Sequence, residues 1–129
     1  MEIGKTVMST GAKIVAVIDD DPEMRTSVAS LLSAFGFVAK TFDSAETFLV
    51  CASTSNAVCL VVDIQLGDIS GVALAHQLTA EGFRIPIIFM TGLDDELIRA
   101  QAADAGGIAF LRKPFPVKML IDAINIAIG

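Results

Sequence analysis

Cysteine, histidine and cationic residues are scarce in this 129-residue chain, and each scarcity closes off a class of function. Cys51 and Cys59 are the only two cysteines. Their spacing suits no metal site, and their apolar surroundings read as those of buried, reduced thiols. His76 is the single histidine; it falls in a polar-edged helical stretch and reads as solvated rather than as a ligand or phosphodonor. Nine Lys and Arg stand against fifteen Asp and Glu, for a net charge of −6. The cations are scattered, and with no basic stripe to follow phosphates the chain is not expected to bind nucleic acid directly. No window reaches the roughly 18 uninterrupted apolar residues that a membrane span needs. "MEIGKTVMSTGA", residues 1–12, lacks the apolar core of a signal peptide and reads as a flexible leader, so a cytoplasmic location is expected. Repeats, linkers and low-complexity tracts are also missing, which leaves one domain over residues 13–129.

Apolar residues are plentiful: 53% are hydrophobic and 19% charged, and the mean hydropathy is +0.68. That balance fits a parallel sheet covered on both faces, whose strands read as near-continuous apolar runs. Such runs alternate with helical patterns. "KIVAVI" precedes a helix opening at Pro22, with Met24, Val28, Leu31, Leu32 and Phe35 at helical spacing and Gly36 as its stop. "FVAKTF" precedes a short helix capped by Ser44, and "AVCLVV" ends at Asp63 before a helix over "GVALAHQLTAE". "IPIIFM" ends at Thr91. The helix after it, "DDELIRAQAADA", has an acidic first turn and a thin apolar face anchored chiefly by Leu97 and Ile98. "IAFLR" runs into Lys113-Pro114, and Pro116 opens a last helix striped by Val117, Leu120, Ile121, Ile124 and Ile128. Five β-α units in one small domain predict a doubly wound α/β sandwich with right-handed crossovers.

In such sheets ligands bind beyond the carboxyl ends of the strands. The polar residues that interrupt the apolar runs fall there: Asp19 and Asp20, Asp63, Thr91 and Lys113. "VAVIDDDPEMR" poses the sharpest question, because adjacent carboxylates repel by on the order of a few kcal/mol per close pair. Clustered carboxylates call for a cation, and oxygen donors without His or Cys suit Mg2+ or Mn2+. A lysine and a hydroxyl opposite that cation suit a phosphoryl group, whose oxygens need spread-out positive charge.

With these residues in that order, the chain from about Lys13 onward resembles the receiver domains of response regulators. The resemblance rests on Asp19-Asp20, Asp63, Thr91 and Lys113-Pro114, with "MR" after the acidic run and Ser70-Gly71 adding to it. "GFVAKTFDSAETFL" is most similar to receivers of the nitrogen-fixation and nodulation type, usually fused to a helix-turn-helix, DNA-binding output domain. One departure is Leu66-Gly67, where receivers often carry Met-Pro. The resemblance implies a flavodoxin-like (βα)5 fold with strand order 2-1-3-4-5. It implies that Asp63 accepts a phosphoryl group from a sensor histidine kinase. Asp20, Asp63 and the Gln65 backbone carbonyl would hold Mg2+ (or Mn2+) directly, with Asp19 acting through water. Lys113 would pair with the carboxylate and then with phosphate, beside a cis Lys113-Pro114 bond. Thr91 and Phe110 would be the switch, read out on the fourth helix, fifth strand and fifth helix, with homodimerisation through that face on phosphorylation. Gln65 and Leu93 would tune the lifetime of the aspartyl phosphate. Catalysis would extend only to the chain's own phosphorylation and dephosphorylation.

A haloacid-dehalogenase-like, Mg-dependent phosphatase is the alternative. "DDD" meets its D-x-D spacing and "IIFMTG" resembles its second motif. Its second acidic pair should follow the lysine, yet Asp94-Asp95 precede Lys113, and only Asp122 follows it.

Overall fold

Five largely apolar runs form the strands of a computed structural model that describes residues 12–129. The leader expected over residues 1–12 therefore lies, Ala12 aside, outside the described residues. The strands are β1 (Ile14–Ile18), β2 (Val38–Phe42), β3 (Cys59–Asp63), β4 (Ile87–Thr91) and β5 (Gly107–Arg112). The helices are α1 (Pro22–Ala34), α2 (Ala45–Cys51), α3 (Gly71–Ala80), α4 (Glu96–Asp104) and α5 (Val117–Ile128). All pairings are parallel and the strand order is β2-β1-β3-β4-β5, as the sequence led us to expect.

Side chains alternate along a strand, so each strand feeds two cores. Ala16, Ile18, Leu60, Val62 and Phe89 pack with Phe48 of α2, Leu74 of α3 and Ala102 of α4. Val15, Val17, Val61, Ile88 and Met90 pack with Val28 and Leu32 of α1 and Leu120 and Ile124 of α5. The central strands β3 and β4 are buried along their whole length, whereas the edge strand β2 is not. This two-sided burial is why the chain is so apolar.

Caps follow the sequence signals. Asp21 accepts from the backbone N–H of Glu23 and Met24, with Pro22 at the first helical position, so the third aspartate of the acidic run starts α1. Ser44, Ser70 and Asp95 cap α2, α3 and α4 in the same way.

Five expectations need correction. Phe35 caps the end of α1 and is 54% exposed, because the chain turns away at Gly36 before its ring can reach the sheet. Of the two residues expected to anchor α4, Ile98 is half-buried against the core but Leu97 is 66% exposed, and Ala102 is the buried residue of that helix. Cys51 is half-buried and only Cys59 is enclosed, both as free thiols. Val117 starts α5 at its exposed end rather than in the stripe. β5 also begins one residue early, at Gly107, where a Cβ would stand 2.6 Å from the Phe89 ring.

Candidate phosphoacceptor site

Parallel strands end on the same rim, so the fold gathers side chains that are far apart in the chain. Asp19 follows β1, Asp63 closes β3, Thr91 closes β4 and Lys113 follows β5. The Lys113 ammonium donates to Asp19 Oδ2 and to Asp63 Oδ2, each at 3.0 Å. Its backbone N–H donates to the Thr91 carbonyl at 2.7 Å, and the Lys113-Pro114 bond is cis. Asp19 Oδ1 accepts from the Asp21 N–H at 2.9 Å, and Asp63 Oδ1 accepts from the Gln65 N–H at 2.9 Å. Arg25 donates to the Asp19 carbonyl at 2.8 Å. Asp19 is wholly buried and Asp63 nearly so, while Asp20 lies open to solvent.

Burial is the main influence on Asp63 and raises its pKa above the ordinary carboxylate value; the Asp19 charge pushes the same way, and the Gln65 N–H and Lys113 pull against it. Burial also disfavours the charge on Lys113, yet its two carboxylate partners outweigh that and hold its pKa above the usual lysine range. Each of Asp19, Asp20 and Asp63 offers one oxygen, and the three oxygens lie within 4.8 Å of one another. Three carboxylates against one ammonium leave two negative charges at the pocket, offset in part by Arg25 on the Asp19 carbonyl. An all-oxygen donor set with that surplus fits a hard divalent cation.

Two contacts beside the pocket escaped the sequence reading. The Thr91 hydroxyl donates to Gln65 Oε1 at 3.3 Å and accepts from the Leu93 N–H at 3.1 Å. Gln65 thus meets Thr91 through its side chain, a role that its position alone did not disclose. Phe110 is half-buried in β5, in register with Phe89 and two residues short of the rim, and the Arg99 guanidinium lies over its ring at 4.5 Å. Gly67 does not adopt a positive φ and has open space around it, so neither conformation nor packing requires glycine there.

The family model of the response regulator receiver domain matches residues 15–125. The chain belongs to that family. The receiver is similar to the transcriptional regulatory protein TdiR of Thauera aromatica, 36% identical over 92% of this chain and 52% of that protein. It is also similar to nodulation protein W of Bradyrhizobium diazoefficiens, 37% identical over 96% and 54%. Among solved structures it resembles FixJ-N (TM-score 0.84, 36% identity, 89% of this chain and 92% of that one). The response regulator StyR matches it as well (TM-score 0.84, 40% identity, 92% and 60%). The receiver spans about half the length of the curated relatives it matches. The phosphatase alternative finds no support in the family model or in these relatives and structures.

Proposed function

We propose that Asp63 is the phosphoacceptor of this receiver and that a sensor histidine kinase supplies the phosphoryl group. The observation that carries the reading is the Lys113 ammonium shared between Asp19 and Asp63, with Asp20 completing a three-carboxylate cluster. An Asp63 oxygen attacks phosphorus and the P–N bond of the phosphohistidine breaks. The imidazole leaves, taking up a proton, and an acyl phosphate remains until water cleaves it. Lys113 keeps its charge at neutral pH and follows the transferred group, passing from carboxylate to phosphate oxygen.

Asp20, Asp63 and the Gln65 carbonyl would hold Mg2+ (or Mn2+), with Asp19 acting through bound water. The ion, when bound, supplies positive charge that lets an anionic donor approach an anionic nucleophile. Thr91 leaves Gln65 for a phosphate oxygen and Phe110 turns inward, which biases α4, β5 and α5. That face then pairs two receivers and releases a DNA-binding output domain. Catalysis extends only to the receiver's own phosphorylation and dephosphorylation.

Incubation with Mg2+ and acetyl phosphate should add one phosphate per chain, labile to hydroxylamine. Asp63→Asn should abolish it, and Lys113→Ala should slow it by about 100-fold, on the scale of losing one charged stabilising donor. Labelling of Asp63→Asn at the wild-type rate, or labelling mapped to Asp19, would reject the assignment.

A further inference from the structure

A phenylalanine at position 110 has no hydroxyl with which to hold itself outward. The structure supplies another restraint, the Arg99 guanidinium of α4 lying 4.5 Å from the centroid of the Phe110 ring. We propose that Arg99 is a positioning residue that holds Phe110 in its resting place, so that the switch proposed above works against this contact.

Three observations make the contact matter. Phe110 is half-buried and packed beside the cluster that includes Phe89 and Ala102, and a cation lies over its ring. Arg99 has no carboxylate partner among the described residues, and its guanidinium meets the Phe110 ring instead. At its first turn α4 is otherwise held to the sheet by Ile98, which is only partly buried. Leu97 is largely in water, and the Arg112–Asp94 pair that ties the preceding loop to β5 is long, at 3.5 Å, and exposed. By contrast the last turn of α4 is pinned, since a Cβ on Gly107 would meet the Ala102 carbonyl at 2.9 Å. The helix is therefore fixed at one end, and Arg99 is a tie to β5 partway along it.

A cation over an aromatic face at an exposed position is worth about two- to five-fold in an equilibrium. That is small enough for a phosphate to overcome and large enough to lower the resting population of the inward state. The proposal rests on the phosphoacceptor reading, so its test separates the two. Wild type, Arg99→Gln, Arg99→Lys, Phe110→Leu and the Arg99→Gln/Phe110→Leu double variant are each labelled with acetyl phosphate and Mg2+. In parallel, amide exchange is followed over residues 108–112 without any phosphodonor. Arg99→Gln should label about two- to five-fold faster and exchange faster across those residues, whereas Arg99→Lys, which keeps a cation over the ring, should stay near wild type. Both effects of Arg99→Gln should vanish in the Phe110→Leu background. Equal effects of Arg99→Gln with and without Phe110, or none with it present, would overturn the clamp while leaving Asp63 labelling intact. Loss of labelling in every chain, wild type included, would overturn the phosphoacceptor reading and the clamp with it.

Discussion

Three aspartates in a row have three different fates. Asp21 spends its side chain on the start of α1, Asp19 is enclosed with Lys113, and Asp20 faces solvent. An exposed carboxylate is free to touch an ion, whereas one already bonded to Lys113 and a backbone N–H is better placed to hold the ion's water. Asp19→Asn should therefore cost about tenfold in Mg2+ affinity, the low end for an outer partner, and Asp20→Asn should cost more. Equal losses on titration would reject the assignment. The two thiols should differ as sharply. Burial pushes Cys59 up to about 12 from 9.0, and Cys51 is only half-buried. At pH 8 a disulfide reagent should take one thiol per native chain and two in denaturant. Unfolded Cys59 gives up its proton near 9.0 while the folded chain keeps it to about 12, so the folded state loses ground as pH rises through that window. A native chain that titrates two thiols at once would contradict this burial.

At the scale of elements, the site depends on how closely α3 approaches β3. Gly71 opens α3, and its N–H donates to the Ile64 carbonyl at 2.9 Å. A Cβ there would stand 2.5 Å from the Asp63 carbonyl and 3.0 Å from the Ile64 Cα, both backbone atoms that cannot swing aside. Gly71→Ala should thus cost about 1–3 kcal/mol of stability, the usual range for overpacking. It should also slow phosphorylation, because relief requires moving the backbone that carries Asp63, the proposed acceptor. Urea midpoints together with labelling rates check this, and an alanine variant with wild-type values for both would show that α3 can slide. In the sequence, Ser70-Gly71 was visible as a helix start; the reason for glycine was not, because the atoms that exclude a side chain belong to β3.

For the whole molecule, the rim divides a well-packed half from a loose one. β1, β3 and β4 are fully enclosed at their inward positions, whereas α4 offers one buried residue, Ala102, and exposes Leu97. Local opening should follow that division, since segments with little buried apolar area open first. Phosphorylation should change amide exchange mainly over residues 93–107 and around Phe110, leave α1 little altered, and shift the receiver weakly from monomer to dimer in sedimentation. Changes concentrated in residues 22–35 instead would place the switch on α1.

Much of this was legible in one dimension. Side-chain periodicity along a strand or helix is local, so the five β-α units, the Ser44 cap, the Pro22 start, the doubly wound class and the rim residues could be read from runs and punctuation. Lys113, Thr91 and the aspartates were legible because each breaks an apolar run at its end. Tertiary structure alone decided the rest. It bridged Asp19 and Asp63 with a lysine 94 and 50 residues away, chose which aspartate is buried, brought Gln65 to Thr91 and laid Arg99 over Phe110. It also left Phe35 and Leu97 outside, though both have helical spacing. The physical reason is common to all of these: periodicity fixes which face of an element a residue occupies, while its partners depend on strand order and on where each helix ends over the sheet.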